Sequence, residues 1–167
     1  MTAAGMGRMQ VVPLTAEHAL DICTWRYDPP YDCYDMTSAD PDRLLQPGSG
    51  FHAVTAADRL VGFRSFGVDG QVPGWAYDDR ALDTGGGLRP QVVGRGLGRQ
   101  AISAGLAFGR ATFAPPAFRV TVASSNARAL RVVESLGFER VGRFDAAHDG
   151  SSFEVLVRPE LGQPQAG

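Results

Sequence analysis

The feature of this sequence that most constrains its fold is a run of alternating glycines, Gly94-Arg95-Gly96-Leu97-Gly98-Arg99. The run lies between a segment with strand-like alternation that ends near Arg89 and a segment of helical periodicity from Gly96 to Thr112. Glycines at such a junction let backbone N–H groups point at an anion, and the helix N-terminus adds partial positive charge there. The sequence therefore predicts a phosphate-binding loop between a strand and a helix.

Hydrophobic periodicity predicts the elements in the order helix, three strands, helix, strand, helix and two strands, which is a mixed α/β fold class. Besides the helix at the glycine run, the predicted elements are a helix from Thr15 to Trp25, strands at Phe51–Ala56, Arg59–Val68, Ala81–Arg89 and Phe118–Ala123, a helix capped by Asn126 and closed by Gly137, and strands at Phe138–Phe144 and Ser151–Arg158. A chain of 167 residues fits one domain, placed at residues 9–158, with flexible tails at 1–8 and 159–167.

The charged residues exclude several classes of function. All 16 basic residues are arginines, so a Walker P-loop and Schiff-base chemistry, which need lysine, are excluded. A net charge of −2 argues against nucleic acid as a partner. The three histidines and two cysteines lack metal-ligand spacing, so no metal site is expected. With no signal peptide and no apolar run of membrane-spanning length, the protein is expected to be cytoplasmic, without a membrane partner.

The glycine run departs from the dinucleotide-binding fingerprint. Its spacing is G-x-G-x-G rather than G-x-G-x-x-G, and no acidic residue follows about 20 positions later. A nucleotide-binding module of another kind remains an alternative at this point.

Two stretches of the chain resemble the GNAT superfamily of acetyl-CoA-dependent N-acetyltransferases. Leu88 to Gly98 is similar to the family's pyrophosphate loop, [Q/R]-x-x-G-x-[G/A], with Gly96 and Gly98 on the two small positions. Asn126 to Phe138 is similar to its N-x-x-A-x-x-x-Y-x-x-x-G-F helix. The resemblance implies the GNAT fold, in which a twisted, mostly antiparallel sheet is splayed near its middle, flanked by helices, and binds acetyl-CoA in the splay.

The resemblance also implies which residues bind the cofactor. Val93 occupies the usual Gln/Arg position, so neighbouring arginines would supply the missing phosphate contacts. The expected cofactor-binding residues are Leu88, Arg89, Val93, Gly94, Arg95, Gly96, Leu97, Gly98, Arg99, Asn126, Arg128 and Ala129.

The family's chemistry implies candidates for catalysis, with one departure. The tyrosine that protonates the departing CoA thiolate would fall at Val133, so either Ser125, Ser124 or a water serves instead, or the thiolate leaves without direct protonation. Asp83 is the expected base, with Asp79 second. The backbone N–H of Gly87 or Leu88 is expected to hold the thioester oxygen.

The segment from Trp25 to Asp35 follows the first helix, where GNAT folds build the acceptor wall. Its rigid prolines and amphipathic aromatic residues predict a substrate-binding role for Trp25, Tyr27, Tyr31 and Tyr34, together with Trp75. Residues 1–87 carry 12 acids and six arginines, whereas residues 88–167 carry six acids and ten arginines. This asymmetry suits a cationic amine on one side and CoA phosphates on the other.

The function implied is direct transfer of an acetyl group to a primary amine, either a small molecule or a protein N-terminus, in a ternary complex. The alternative is a catalytically weak acyl-CoA-binding or regulatory protein of the same fold. A homodimer is possible, as in many relatives.

Overall fold

The computed structural model describes residues 6–160, in which seven strands form one sheet and four α-helices cover its two faces. The strands are β1 (Met9–Pro13), β2 (Phe51–Ala56), β3 (Arg59–Phe66), β4 (Leu82–Leu88), β5 (Ala117–Ala123), β6 (Glu139–Asp145) and β7 (Ser152–Pro159). The helices are α1 (Ala16–Ile22), α2 (Pro41–Leu44), α3 (Gly98–Phe113) and α4 (Ala127–Ser135). The predicted mixed α/β class is therefore confirmed.

The sheet opens between its two central strands. Its order is β1-β2-β3-β4-β5-β7-β6, and every neighbouring pair is antiparallel except β4 and β5. Those two run parallel and pair only at Leu82 with Phe118 and at Asp83 with Arg119. The space between the remainder of β4, residues 85–88, and the end of β5, residues 121–123, is called the gap below.

Local signals in the sequence set the ends of the longer elements. Thr15 caps α1 by accepting a hydrogen bond from the His18 N–H, and Asn126 caps α4 by accepting one from the Ala129 N–H. Gly137, with φ of 93°, ends α4 in the left-handed region that favours glycine. The helix predicted to reach Trp25 ends at Ile22, and the other long elements match their predictions closely.

The core is divided between the two faces of the sheet. Ala53 of β2 and Leu60 and Phe63 of β3 pack towards α1 and α2. Leu60 and Phe63 are three residues apart and share a face because the β2–β3 register shifts by one residue between their pairing positions. On the other side, α3 and α4 pack Leu106 and Leu130 against β5 and β7. The helices therefore fix both halves of the sheet beside the gap.

Two features at the ends of the chain differ from expectation. The strand β1 was not predicted, although it pairs in register with β2 and buries Met9. Glu160, expected in a flexible tail, forms an ion pair with Arg110 at 2.6 Å. Residues 1–5 and 161–167 of the predicted tails lie outside the described residues. Within the described range, none of the helices has both the length and the apolar character that a membrane crossing requires.

Candidate active site

The β4 side of the gap presents backbone donors that no strand satisfies. The Arg89 N–H bonds the Val61 carbonyl of β3, and strand alternation then directs the N–H groups of Gly85 and Gly87 to β3 as well. The N–H groups of Gly86 and Leu88 consequently face the gap. Of the two predicted oxyanion donors, Leu88 has an N–H that points into the gap and Gly87 does not.

On the β5 side of the gap, a backbone N–H donates to a side chain instead of to a neighbouring strand. The Ser124 N–H bonds Ser152 of the β7 side, so the preceding N–H, that of Ala123, faces the gap. There it donates to the Tyr34 hydroxyl at 3.1 Å. The Asn126 amide, Nδ2, donates to the same oxygen at 3.3 Å.

The segment of residues 25–35, here called the bridging segment, joins the two sides of the gap. Its Tyr27 hydroxyl donates to the Leu88 carbonyl of β4 at 2.6 Å, while Tyr34 contacts β5. The backbone N–H of Tyr27 also donates to the Asp35 carboxylate at 2.7 Å, which ties the two ends of the segment together. The bridging segment thus spans the mouth of the gap.

A cleft of about 460 Å³ lies between the bridging segment and the glycine loop. It brings together four predicted site residues, Tyr27, Tyr31, Val93 and Arg128. The Arg128 guanidinium lies over the Tyr31 ring, 4.4 Å from its centroid, and a Cβ placed on Gly94 would be 3.3 Å from it. Arg128 therefore places a positive charge beside the predicted phosphate loop.

The N-terminus of α3 is open to an anion. No side chain caps it, so its first N–H groups have no partner within the helix. Gly94 and Gly96 adopt positive φ angles of 82° and 74°, and a Cβ on Gly98 would meet nothing within 4 Å. These residues fit a pyrophosphate, because donors converge where no side chain obstructs the approach. Arg95 is exposed on the same loop.

Four other predicted cofactor residues are committed to internal contacts. Arg89 forms an ion pair with Asp21 and donates to the Leu60 carbonyl at 2.9 Å, so the expectation that it binds phosphate is corrected to a structural role. Arg99 donates to Ser135 at 2.9 Å and links α3 to α4. The Leu97 and Ala129 side chains pack in the core, which leaves only their backbones for a ligand.

The structure gives Asp83 a different role from that of a base. The residue is 3% exposed, and its carboxylate accepts two hydrogen bonds from Arg119, at 2.6 and 2.8 Å, and a third from Gln71 at 2.9 Å. The carboxylate is thus committed to Arg119 and Gln71, and it lies at the paired part of β4, outside the gap. Asp79, the second expected base, is exposed in the turn before β4, away from the gap that opens at the other end of the strand.

The predicted proton donors, Ser125 and Ser124, are not directed towards the gap either. Ser125 is exposed in the turn between β5 and α4, and Ser124 donates to Glu154 at 3.2 Å. Val133 is 2% exposed within the core beneath α4, so that position contributes packing and no chemistry. Neither serine is aimed into the gap by any hydrogen bond.

The two tryptophans predicted to bind substrate have packing roles. Trp25 is 2% exposed, donates to Asp21 at 3.1 Å and lies under Arg89. Trp75 packs against Phe144, and it fills the space over Gly142, where a Cβ would be 2.2 Å from the indole ring. The expectation for Trp25 is therefore corrected, whereas Trp75 is half-buried and its substrate-binding role stays a prediction. The tyrosines of the bridging segment contact both sides of the gap.

Five residues that line the cleft were not predicted as site residues, and two of them, Arg26 and Gln91, carry long polar side chains. Arg26 and Gln91 both line the cleft beside Arg128. Gln91 had a signal, because Gln91-x-x-Gly94-x-Gly96 matches the loop pattern in an earlier register. Arg26 had none, since an arginine in an exposed loop is usually solvated.

Burial changes the acidity of several groups around the site. Burial raises the pKa of Tyr27 to about 12, and it also raises the pKa of Tyr34, although the Asn126 and Ala123 donors oppose that rise. Desolvation and nearby aspartates raise the pKa of Cys33, and desolvation raises that of Cys23. Both thiols are therefore weak nucleophiles at neutral pH. Across residues 6–160, no cluster of side chains is suited to hold a metal ion.

Comparison with known proteins places these features in a family. Residues 8–139 match the family model described as an acetyltransferase (GNAT) domain. No curated protein sequence matches.

Several solved structures share the fold. One is an acetyltransferase of the GNAT family from Bacillus anthracis, with 15% identity, 92% of this chain and 96% of that chain covered, and a TM-score of 0.70. Another is AAC(6')-Ib in complex with paromomycin and acetyl-CoA, with 18% identity, coverage of 92% and 94%, and a TM-score of 0.73. A third is a spermidine N-acetyltransferase chimera of SpeG from Vibrio cholerae and hSSAT, with 16% identity, coverage of 92% and 96%, and a TM-score of 0.71.

Proposed function

The chain belongs to the GNAT family of acetyl-CoA-dependent acetyltransferases, and from this premise we propose that it transfers the acetyl group directly to a primary amine. The observation that carries the proposal is the gap itself, into which the N–H groups of Gly86 and Leu88 point, together with the N-terminus of α3, which no side chain caps. Acetyl-CoA supplies the acetyl group as a thioester. The glycine loop with Arg128 would bind its phosphates, and the Leu88 N–H would polarise its carbonyl.

The charge of the bridging segment supports an amine as the acceptor. The bridging segment carries three carboxylates, Asp28, Asp32 and Asp35, against one arginine, Arg26, so its net charge is −2. It also carries the tyrosines at the gap. A segment with an excess of carboxylates attracts cations. AAC(6')-Ib and the spermidine acetyltransferase, which share the fold, are named for polycationic amines. We therefore expect a small polycationic amine to be accepted in preference to a neutral one.

Direct transfer in a ternary complex is supported by the low reactivity of the thiols within residues 6–160. Cys33 is adjacent to Tyr34, but its raised pKa keeps the thiol protonated at neutral pH. Intersecting lines in initial-velocity plots are expected, and no acetylated protein should form when the enzyme meets acetyl-CoA alone. A stable acetyl adduct in the mass spectrum would contradict direct transfer.

The first experiment measures the melting temperature with saturating acetyl-CoA, beside ATP and NAD. A ligand at 100 times its Kd stabilises the folded state by about 2.7 kcal/mol, which raises the melting temperature by several degrees. An increase with acetyl-CoA alone supports the cofactor assignment, whereas an increase with ATP or NAD would favour the nucleotide-binding alternative.

The second experiment measures release of the CoA thiol with a panel of acceptors. The panel contains a polyamine, an aminoglycoside, a neutral amine and a peptide with a free N-terminus. Turnover with the polycationic amines supports the proposal. Acetyl-CoA binding without turnover for any acceptor would instead favour the alternative of a catalytically weak acyl-CoA-binding protein.

A further inference from the structure

Three phenols reach the two central strands, and their hydroxyls are used differently. Tyr27 donates its hydrogen to the Leu88 carbonyl, and Tyr77 donates its hydrogen to the Val72 carbonyl at 2.9 Å. In contrast, the Tyr34 hydroxyl oxygen accepts two hydrogen bonds, one from the Ala123 backbone N–H and one from the Asn126 side-chain amide. Within residues 6–160, the Tyr34 hydroxyl donates to no group.

The direction of the Asn126 contact is fixed by the helix. Its side-chain oxygen accepts from the Ala129 N–H at 3.1 Å as the cap of α4, so the NH2 group must be the end that faces Tyr34. The Ala123 N–H is a donor by necessity. Both neighbours of the Tyr34 oxygen are therefore donors, and the phenol hydrogen is directed away from them.

We propose that Tyr34 is the general acid of the reaction, donating its phenol proton to the sulfur atom as the thioester is cleaved. The inference rests on the proposed function, and it places the acid on the bridging segment, whereas the corresponding position of α4 is the buried Val133. Two N–H donors to the phenol oxygen stabilise negative charge on it after the proton leaves. A proton donor positioned in this way typically contributes a factor of about 10² to 10⁴ to the rate.

The step balances in atoms and charge. The amine nitrogen bonds to the thioester carbon, the carbon–sulfur bond breaks with its electron pair on sulfur, and the Tyr34 proton moves to that sulfur. The nitrogen releases one proton to water, and water returns one to Tyr34. The products are an amide and a free thiol, and the protein ends in its starting state.

Tyr34 is in the acid form at neutral pH. Burial raises its pKa, and the nearest titratable groups, Cys33 and Tyr31 on its own segment, act in the same direction. The contacts from β5 and α4 come from the uncharged Ala123 and Asn126. Arg128, over the Tyr31 ring, is the nearby cation on α4.

The test compares Tyr34→Phe with Tyr77→Phe as a matched control. Tyr77 also accepts a backbone N–H, from Val72 at 3.0 Å, so both variants lose a half-buried phenol hydroxyl and its contacts. We expect Tyr34→Phe to lower kcat by about 100-fold or more, with KM for acetyl-CoA changed by less than about threefold. Tyr77→Phe should lower the melting temperature similarly and reduce kcat by less than about threefold.

A second readout needs no turnover. The affinity for CoA and for desulfo-CoA is measured by calorimetry between about pH 7 and pH 10, across the ordinary thiol pKa of about 8.5. A hydrogen bond from Tyr34 to sulfur favours the thiolate, so CoA should bind more tightly as pH rises in the wild type, less so in Tyr34→Phe, and desulfo-CoA in neither. If the wild type acetylates no amine, the proposed function fails while this measurement still tests Tyr34. Equal kcat values or identical CoA pH profiles in the wild type and Tyr34→Phe would overturn the assignment.

Discussion

At the scale of single residues, the ion pair of Asp83 and Arg119 indicates that Asp83 contributes to stability instead of acting as the catalytic base. The two side chains are 4% and 6% exposed, and they stand at one of the two register positions that join β4 to β5. Removing one partner of a buried pair strands the other charge in the protein. Asp83 is therefore expected to matter for stability before it matters for chemistry.

Asp83→Asn should lower the free energy of unfolding by about 2 kcal/mol, because Arg119 loses its buried counter-charge and keeps only the half-exposed Asp78 carboxylate, at 3.0 Å. Urea unfolding measures the change. Glu134→Gln serves as the control, since Glu134 pairs with Arg140 at the surface, where loss of an ion pair costs less than about 1 kcal/mol. A fully stable Asp83→Asn protein with greatly reduced kcat would restore Asp83 as the base.

Tyr27 gives a prediction of pH dependence. Burial raises its pKa to about 12 in the folded chain, above its usual value of about 10, so the protonated phenol stabilises the fold. This contribution is complete below about pH 10 and is lost as pH rises to about 12. Partial exposure reduces the effect to about 1 kcal/mol. The stability advantage of the wild type over Tyr27→Phe should therefore shrink between about pH 10 and pH 12, and an advantage that stays constant over this range would contradict the prediction.

At the scale of elements, the glycines of the loop before α3 are needed for two different reasons. Gly96 has a φ of 74°, which alanine adopts with strain, whereas Gly98 has an ordinary φ and open space around it. Gly96 is therefore needed by the fold of the loop itself. Gly98 is needed only if a ligand approaches the backbone.

Gly98→Ala should leave the melting temperature of the free protein unchanged or slightly higher and weaken acetyl-CoA binding by roughly tenfold. Gly96→Ala should destabilise the free protein by about 1 kcal/mol. Thermal melts with and without acetyl-CoA measure both effects. If Gly98→Ala bound acetyl-CoA as tightly as the wild type, the pyrophosphate would not lie against this turn.

The elements were predictable where a local signal sets them. Thr15 and Asn126 predict the starts of two helices because their side chains are suited to capping. Alternation of apolar and polar residues predicts β2 and β3 on either side of a short turn. The strand β1 was missed because its five residues become a strand only by pairing with β2, a contact distant in sequence.

The site was predictable only in its backbone part. The glycine loop and the Asn126 cap are local motifs, and the structure places them beside the gap. The roles of Asp83 and Trp25 depend on partners far along the chain, Arg119 and Arg89, which sequence spacing does not identify. The same reason explains why Tyr34 was expected to bind the acceptor while its contacts with β5 and α4 were not foreseen.

At the scale of the whole molecule, the sheet consists of two parts with one short seam. Strands β1–β4 and β5–β7 share two register positions, and the bridging segment crosses the gap above them. A ligand in the gap would add hydrogen bonds to both parts at once. Ligand binding should therefore change the dynamics of both halves together.

Hydrogen exchange provides the measurement. Acetyl-CoA should slow exchange at the Leu88 N–H, which faces the gap, and leave that of Gly87, directed to β3, nearly unchanged. Protection is also expected at the first turn of α3. Uniform slowing along β4 would indicate general stabilisation of the protein and would count against binding in the gap.

The two tyrosine contacts of the bridging segment also restrict how the length of this segment can change during evolution. Tyr27 and Tyr34 are separated by a fixed length of chain that must reach from β4 to β5, and the Asp35 contact to the Tyr27 N–H closes that length into a loop. Inserting or deleting one residue between them would withdraw a hydroxyl from one strand or the other. Side chains between the two tyrosines are free to vary, whereas their number is not, so close homologues with different substrates should differ here in composition and agree in length.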